Sequence, residues 1–138
     1  MEPDNNVKYA REVVAKDPMA VHLGIRVEEV RHAYAKLSLE IVPKYLNALD
    51  RAHGIAISSV IDQAVAVASN TMEHKALVVE LKINFLRAVS LGDTITAEAG
   101  PLDITHKLSM WQVKVKDSFG KKVALAQALT YHRATKSG

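Results

Sequence analysis

The sequence predicts an α+β fold: a long central helix wrapped by a curved antiparallel sheet of five to six strands. Three observations lead there. Residues 53–70 (HGIAISSVIDQAVAVASN) are Ala-rich and do not alternate, and they carry apolar side chains on every side of a helix, as a buried helix does. Most of the chain after them alternates apolar and polar residues with period two. The links between those alternating runs are mostly short, which pairs neighbours antiparallel. One buried helix and one antiparallel sheet make an α+β domain.

Taken in order, residues 7–16 place Val7, Ala10, Val13 and Val14 on one helical stripe, with Asp4 or Asn5 as its cap. Asp17-Pro18 reads as an N-cap followed by proline at the first helical position, and Gly24 closes the short turn that follows. Residues 25–42 alternate, with a turn near Arg31-His32, and Leu37, Leu39 and Ile41 share one face. Pro43 ends that run, and a loop leads to about Ala52. Beyond the helix, Leu77, Val79, Leu81, Ile83 and Phe85 alternate with Val78, Glu80, Lys82 and Asn84. A turn at Leu91-Gly92-Asp93 precedes a strand from Thr94 to Ala99, which Gly100-Pro101 is expected to interrupt. Leu108 to Lys116 and Lys122 to His132 are two more strands around a turn at residues 117–120. Trp111 belongs to the core or an interface.

The 138 residues fit one domain, with residues 1–24 as an N-terminal helical segment packed on it. With no cysteine, the chain has no disulfide, thiolate metal site or cysteine nucleophile. The six histidines show neither H-x-H nor H-E-x-x-H spacing, so no metal is expected, and no cofactor either. No G-x-S-x-G elbow, P-loop or G-x-G-x-x-G occurs. Residues 102–138 hold seven Lys/Arg against two Asp/Glu, whereas residues 1–101 hold eleven against thirteen. That mildly basic end suits a phosphate-bearing small molecule better than nucleic acid. The first fifteen residues lack a signal-peptide pattern, and residues 55–72 are too polar to span a bilayer, so a soluble, cytoplasmic protein without a membrane partner is expected.

Asp62 is the most informative residue. It sits inside the apolar helix with no Lys or Arg between Arg51 and Lys75 to pair with it. Burying an unpaired carboxylate costs several kcal/mol or raises its pKa, so a function must offset it. His53-Gly54 opens the same helix. A helix N-terminus presents unpaired N–H groups, and glycine lets a ligand approach them, as an oxyanion hole requires. Asn47, in the preceding loop, carries an amide able to orient water or a carbonyl. Gly54 and Asp62 are eight residues apart, roughly 12 Å along the axis at ~1.5 Å per residue, so both cannot touch one carbonyl from the same chain. If they cooperate, they come from two chains related by a two-fold axis.

Together these residues resemble the hotdog-fold acyl-CoA thioesterases of the phenylacetic-acid-degradation type. The resemblance runs through Asp17-Pro18, His22-Leu23-Gly24-Ile25, Val42-Pro43-Lys44-Tyr45-Leu46-Asn47, His53-Gly54, Asp62, Ile83-Asn84-Phe85-Leu86-Arg87 and Gly92-Asp93, in order. It implies homodimers joined edge to edge, often paired into tetramers. It implies hydrolysis of an acyl-CoA thioester, with Asp62 as nucleophile or general base and the Gly54 N–H polarising the carbonyl. Asn47 and His53 would position water or substrate, and Asn47 and Gly54 of one chain would face Asp62 of the other. Arg87, with Lys107, Lys121, Lys122 and Arg133, would attract coenzyme A phosphates. Two departures stand out: Ile55 and Asp50 replace glycines usual in the family, and Ile55 would narrow the entrance at the helix front. These departures keep a second reading open, a non-catalytic acyl-CoA binding or sensing module on the same fold. A hotdog dehydratase, which needs a catalytic His in other motifs, fits less well.

Overall fold

The computed structural model describes residues 5–133. Its elements are α1 (Asn5–Glu12), a 3-10 turn at Val14–Lys16, α2 (Pro18–Leu23), β1 (Arg26–Arg31), β2 (Tyr34–Glu40) and a 3-10 turn at Pro43–Tyr45. They continue with α3 (Gly54–Ser69), β3 (Ala76–Phe85), β4 (Thr94–Ile104), β5 (Leu108–Lys116) and β6 (Lys122–His132). The strands form one six-stranded sheet in the order β1-β2-β4-β5-β6-β3, antiparallel at every pairing. The sheet wraps α3, and the architecture is the hotdog fold. Among the described residues no helix is long and apolar enough to cross a membrane.

The core follows from residue size. Inward positions recur every second residue, as a pleat requires: Ile95, Ala97 and Ala99 on β4, Trp111, Val113 and Val115 on β5, Ala124, Ala126 and Ala128 on β6. The alanines leave room for α3, which fills it with Val60, Ile61, Ala64, Val65, Val67 and Ala68, all fully buried. Trp111 is completely buried and its indole N–H donates to Thr130 Oγ1 at 2.8 Å.

The helix ends are fixed by polar side chains. Asp17 Oδ1 accepts from the Ala20 N–H at 3.0 Å, Pro18 follows it, and Gly24 closes α2 with φ 78°. Asn70 ties the end of α3 to the start of β3, donating to Ala66 O at 2.8 Å and accepting from the Ala76 N–H at 3.0 Å. Buried Thr71 accepts from the Ala33 N–H at 2.7 Å.

The structure departs from the sequence reading in five places. The stripe in 7–16 does not persist: α1 ends at Glu12 and Val13 is exposed, because the chain tightens into a 3-10 turn. Asn5 is the first helical residue, not a cap, and Asp4 lies outside the described residues. Gly100-Pro101 does not interrupt β4; the ladder continues to Ile104 across a register shift between Pro101 and Asp103. On β3 the expected apolar face is broken by a register shift between Val78 and Glu80, so Val78, Leu81 and Ile83 pack on the core while Leu77 and Val79 are exposed. Finally, α3 is not buried all round. Ile55 (73% exposed), Ser59, Asp62 and Ala66 form a stripe that the sheet leaves open.

Candidate active site

The front of α3 is built by a closed loop. Leu46 and Ala52 form an antiparallel bridge, and the His53 N–H donates to Tyr45 O at 2.7 Å. The Ala52 N–H donates to Val89 O at 2.8 Å, which fastens the loop to the segment after β3. Asn47 organises the turn: its Oδ1 accepts from the N–H groups of Leu49 (2.9 Å) and Arg51 (3.1 Å). The amide oxygen is thereby occupied, so Asn47 faces a ligand only through its Nδ2 donor. Asp50 adopts φ 60°, a left-handed conformation that glycine takes most easily and Asp tolerates. The glycine that the resemblance implies at this position would meet the same backbone requirement.

His53 is the N-cap of α3. Its backbone is extended (φ −68°, ψ 144°), and its Nδ1 accepts from the Ile55 N–H at 3.0 Å, so the neutral ring carries its proton on Nε2. The Gly54 N–H meets no acceptor among the described residues. Gly54 lies under the Phe85 ring: a Cβ built there would sit 3.4 Å from Phe85 Cζ. The first amide of the helix is therefore available to an external acceptor, in the positive field of the helix N-terminus.

Asp62 lies two turns further along, on the open stripe. It lines a groove of about 660 Å³ with Asp17, Ser58, Ser59 and Gln63 on its polar side and residues such as Leu77 and Leu81 of β3 on its apolar side. Among the described residues no Lys, Arg or His lines this groove. Desolvation by the groove walls raises the Asp62 carboxyl above the usual aspartate range, and repulsion from Asp17 adds to the rise. Asp17 is held by its cap bond to Ala20 and by a long 3.5 Å contact from Gln63 Nε2, which also donates to Val14 O at 2.8 Å.

The structure thus gathers Asn47, His53, Gly54 and Ile55 at the helix front and places Asp62 on the same face but beyond their reach. Arg87 stands on the segment after β3, where its Nη1 donates to Lys122 O at 2.8 Å. That bond joins Arg87 to the turn bearing Lys121 and Lys122. Lys107 and Arg133 do not belong with them. They flank the far end of β6, whose eleven residues span roughly 35 Å at about 3.3 Å each. The sequence reading did not single out Asp17 as a neighbour of Asp62, Phe85 as the cover of Gly54, or Leu23 and Tyr45 as cavity walls. All four lay within motifs it quoted, but their proximity is set by tertiary packing.

A helix-front amide free to donate to a ligand oxygen and a carboxylate with a raised pKa on the uncovered side are groups that can polarise and attack an activated carbonyl. This chain belongs to the thioesterase superfamily, whose sequence profile matches residues 42–124, and it is a thioester hydrolase. An Archaeoglobus fulgidus protein whose name marks it as a candidate esterase is 34% identical over 109 residues, 79% of this chain and 71% of its own. Escherichia coli acyl-coenzyme A thioesterase PaaI is 28% identical over 116 residues, 84% of this chain and 83% of its own. The solved structure of E. coli PaaI superposes with TM-score 0.84 at 26% identity, covering 88% of each chain. A PaaI variant structure from Thermus thermophilus gives 0.81 at 26%, covering 85% of this chain and all of its own.

Proposed function

We propose that the protein hydrolyses acyl-CoA thioesters to the free acid and coenzyme A at a site shared by two subunits. The observation that carries this reading is the separation of the two reactive groups. The Gly54 N–H at the front of α3 and Asp62 on its open side lie roughly 12 Å apart along the axis. Two copies of α3 running antiparallel bring the Gly54 of one chain to the Asp62 of the other. β3 supports that arrangement. It is an edge strand with Leu77 and Val79 exposed, and its Leu77, Val78 and Leu81 line the Asp62 groove. A second copy pairing along β3 covers the exposed edge and closes the groove in one step.

In this reading the thioester oxygen accepts from the Gly54 N–H. Asp62 takes a proton from water as the water oxygen bonds to the carbonyl carbon, and the negative oxygen stays on the Gly54 amide. The C–S bond then breaks, and the proton held by Asp62 passes to the departing sulfur. Direct attack by Asp62, giving a mixed anhydride that water later opens, uses the same geometry. Asn47 Nδ2 and His53 Nε2–H are donors at the helix front for water or substrate. Arg87 and Lys122, brought together beyond Phe85, offer positive charge to the nucleotide phosphates.

The test is a panel of aliphatic and aryl acyl-CoAs with wild type and Asp62→Asn, with folding checked by circular dichroism. Wild-type turnover and its loss in the folded variant are expected. Full activity in folded Asp62→Asn removes Asp62 from the chemistry. Binding of acyl-CoA without any wild-type turnover makes the protein a sensor instead.

A further inference from the structure

A second cavity opens at the front of α3, beside Gly54. It has a volume of about 210 Å³ and is walled mainly by Leu23, Tyr45, Leu46, Ile55, Ala56 and Ser59. His53 and Lys44 also line it. Three of its walls, Leu23, Ile55 and Ser59, also line the larger groove that holds Asp62. The two cavities therefore adjoin, with the side chains of Leu23 and Ile55 on their common boundary. The pocket's walls come from α2, the loop before α3 and the first turns of α3. The Tyr45 hydroxyl donates to the Leu23 carbonyl, which locks the end of α2 onto the loop before α3. Burial raises the Tyr45 phenol, so that hydroxyl keeps its proton as a donor.

We infer that this pocket receives the acyl group, and that Leu23 and Ile55 form an apolar partition restricting the enzyme to compact acyl groups. The inference rests on the proposed reading that the Gly54 N–H holds the thioester oxygen. His53 and Ile55 flank Gly54 and both line the pocket, so an acyl group whose oxygen sits on that amide has its α-carbon at the pocket mouth. An apolar cavity of about 150 Å³ accepts benzene, so one of 210 Å³ takes a phenyl ring with one or two added carbons, or a straight chain of about eight. A longer chain must pass Ile55 and Leu23 into the Asp62 groove. Glycine at position 55 would leave that passage open; isoleucine obstructs it.

The experiment measures kcat/KM over straight-chain acyl-CoAs from two to sixteen carbons for wild type, Ile55→Ala and Leu23→Ala. Ile55 is 73% exposed, so its truncation leaves the core intact. Binding of the same series to Asp62→Asn, followed by calorimetry, reads the pocket without turnover. In wild type, each methylene entering the pocket raises kcat/KM about three- to fourfold, up to about eight carbons. Beyond that length the gain stops or reverses, and the Asp62→Asn affinities break at the same length. Both alanine variants move the break to longer chains. An unmoved break in both folded variants, or a wild type that gains steadily to sixteen carbons in both measurements, overturns the partition. Loss of turnover in Asp62→Asn alongside an unmoved break overturns the pocket assignment and leaves the hydrolase reading standing. Full activity of Asp62→Asn overturns the role of Asp62 and the shared site built on it, and leaves the pocket to be judged by the position of the break.

Discussion

Along one face of α3, Val60, Ile61, Ala64, Val65, Val67 and Ala68 are fully buried and uncharged. Along the other, Ile55, Ser59, Asp62 and Ala66 follow at spacings of four, three and four residues and look into open grooves. The buried face fixes where the helix lies, and its residues are chosen for volume. The open face keeps groups a core would reject: an unpaired carboxylate, an isoleucine three-quarters exposed and, at its front, an amide without an acceptor. Asp62 on the buried face would cost several kcal/mol. On the open face its pKa rises without the carboxyl being sealed from water. In the proposed reading the chemistry sits on the part of the helix left uncovered by the chain's own sheet.

The contrast between faces yields tests of graded size. The largest effect is expected from Asp62→Asn, which removes a proton-transfer group from the open face. Its kcat/KM falls about 10²- to 10⁴-fold, while the melting temperature and circular dichroism show an intact fold. Next comes Gly54→Pro. Proline suits the first position of a helix and His53 already has the extended backbone a following proline demands, so the fold tolerates the change. The variant loses the N–H and adds a ring beside Phe85, and kcat falls about 10²- to 10³-fold. Gly54→Ala keeps the N–H and puts a methyl in ordinary contact with Phe85, so it retains far more activity than Gly54→Pro. A proline variant as active as the alanine one breaks the assignment of that amide.

On the buried face the readout changes from rate to stability. Ile61→Ala leaves a cavity against the sheet and costs about 2–5 kcal/mol, seen in denaturant midpoints. The smallest effect belongs to Asp17→Asn. Asparagine still caps α2, so the fold is kept, but the charge facing Asp62 is gone. A carboxyl with a raised pKa holds its proton to higher pH and becomes the active carboxylate only above it. Removing the repulsion lowers that pKa, so the acid limb of the kcat/KM profile moves to lower pH. An unmoved limb means that the groove walls alone raise Asp62.

Much of this was legible in the residues. The limits of β5 and β6 and the cap pair Asp17 and Gly24 follow from alternation and turn chemistry, which are local. The register shifts on β3 and β4 were not legible. Val79 is apolar and in phase with its neighbours, and only pairing with β6 shows that the ladder slips there. Gly100-Pro101 looked like a stop because the partner strand that carries the ladder past it is distant in sequence. The open stripe on α3 was hidden because Ile55 and Ala66 look like core residues in a helix apolar all round. Asp62, Gly54, His53 and Asn47 could be picked out as residues that a buried helix and a plain turn do not need. Leu23 and Tyr45 could not, because ordinary packing residues become pocket walls only when α2 folds back onto the loop.

The central claim, that Gly54 of one subunit works with Asp62 of another, is tested most directly by mixing two inactive proteins. Asp62→Asn and Gly54→Pro chains are combined in equal amounts, with subunit exchange confirmed by mass spectrometry. In a mixed dimer a shared arrangement gives one site with both groups intact and one with neither. Half the dimers are mixed, so activity returns to about one quarter of the wild-type value. Exchange without any recovery contradicts the shared site.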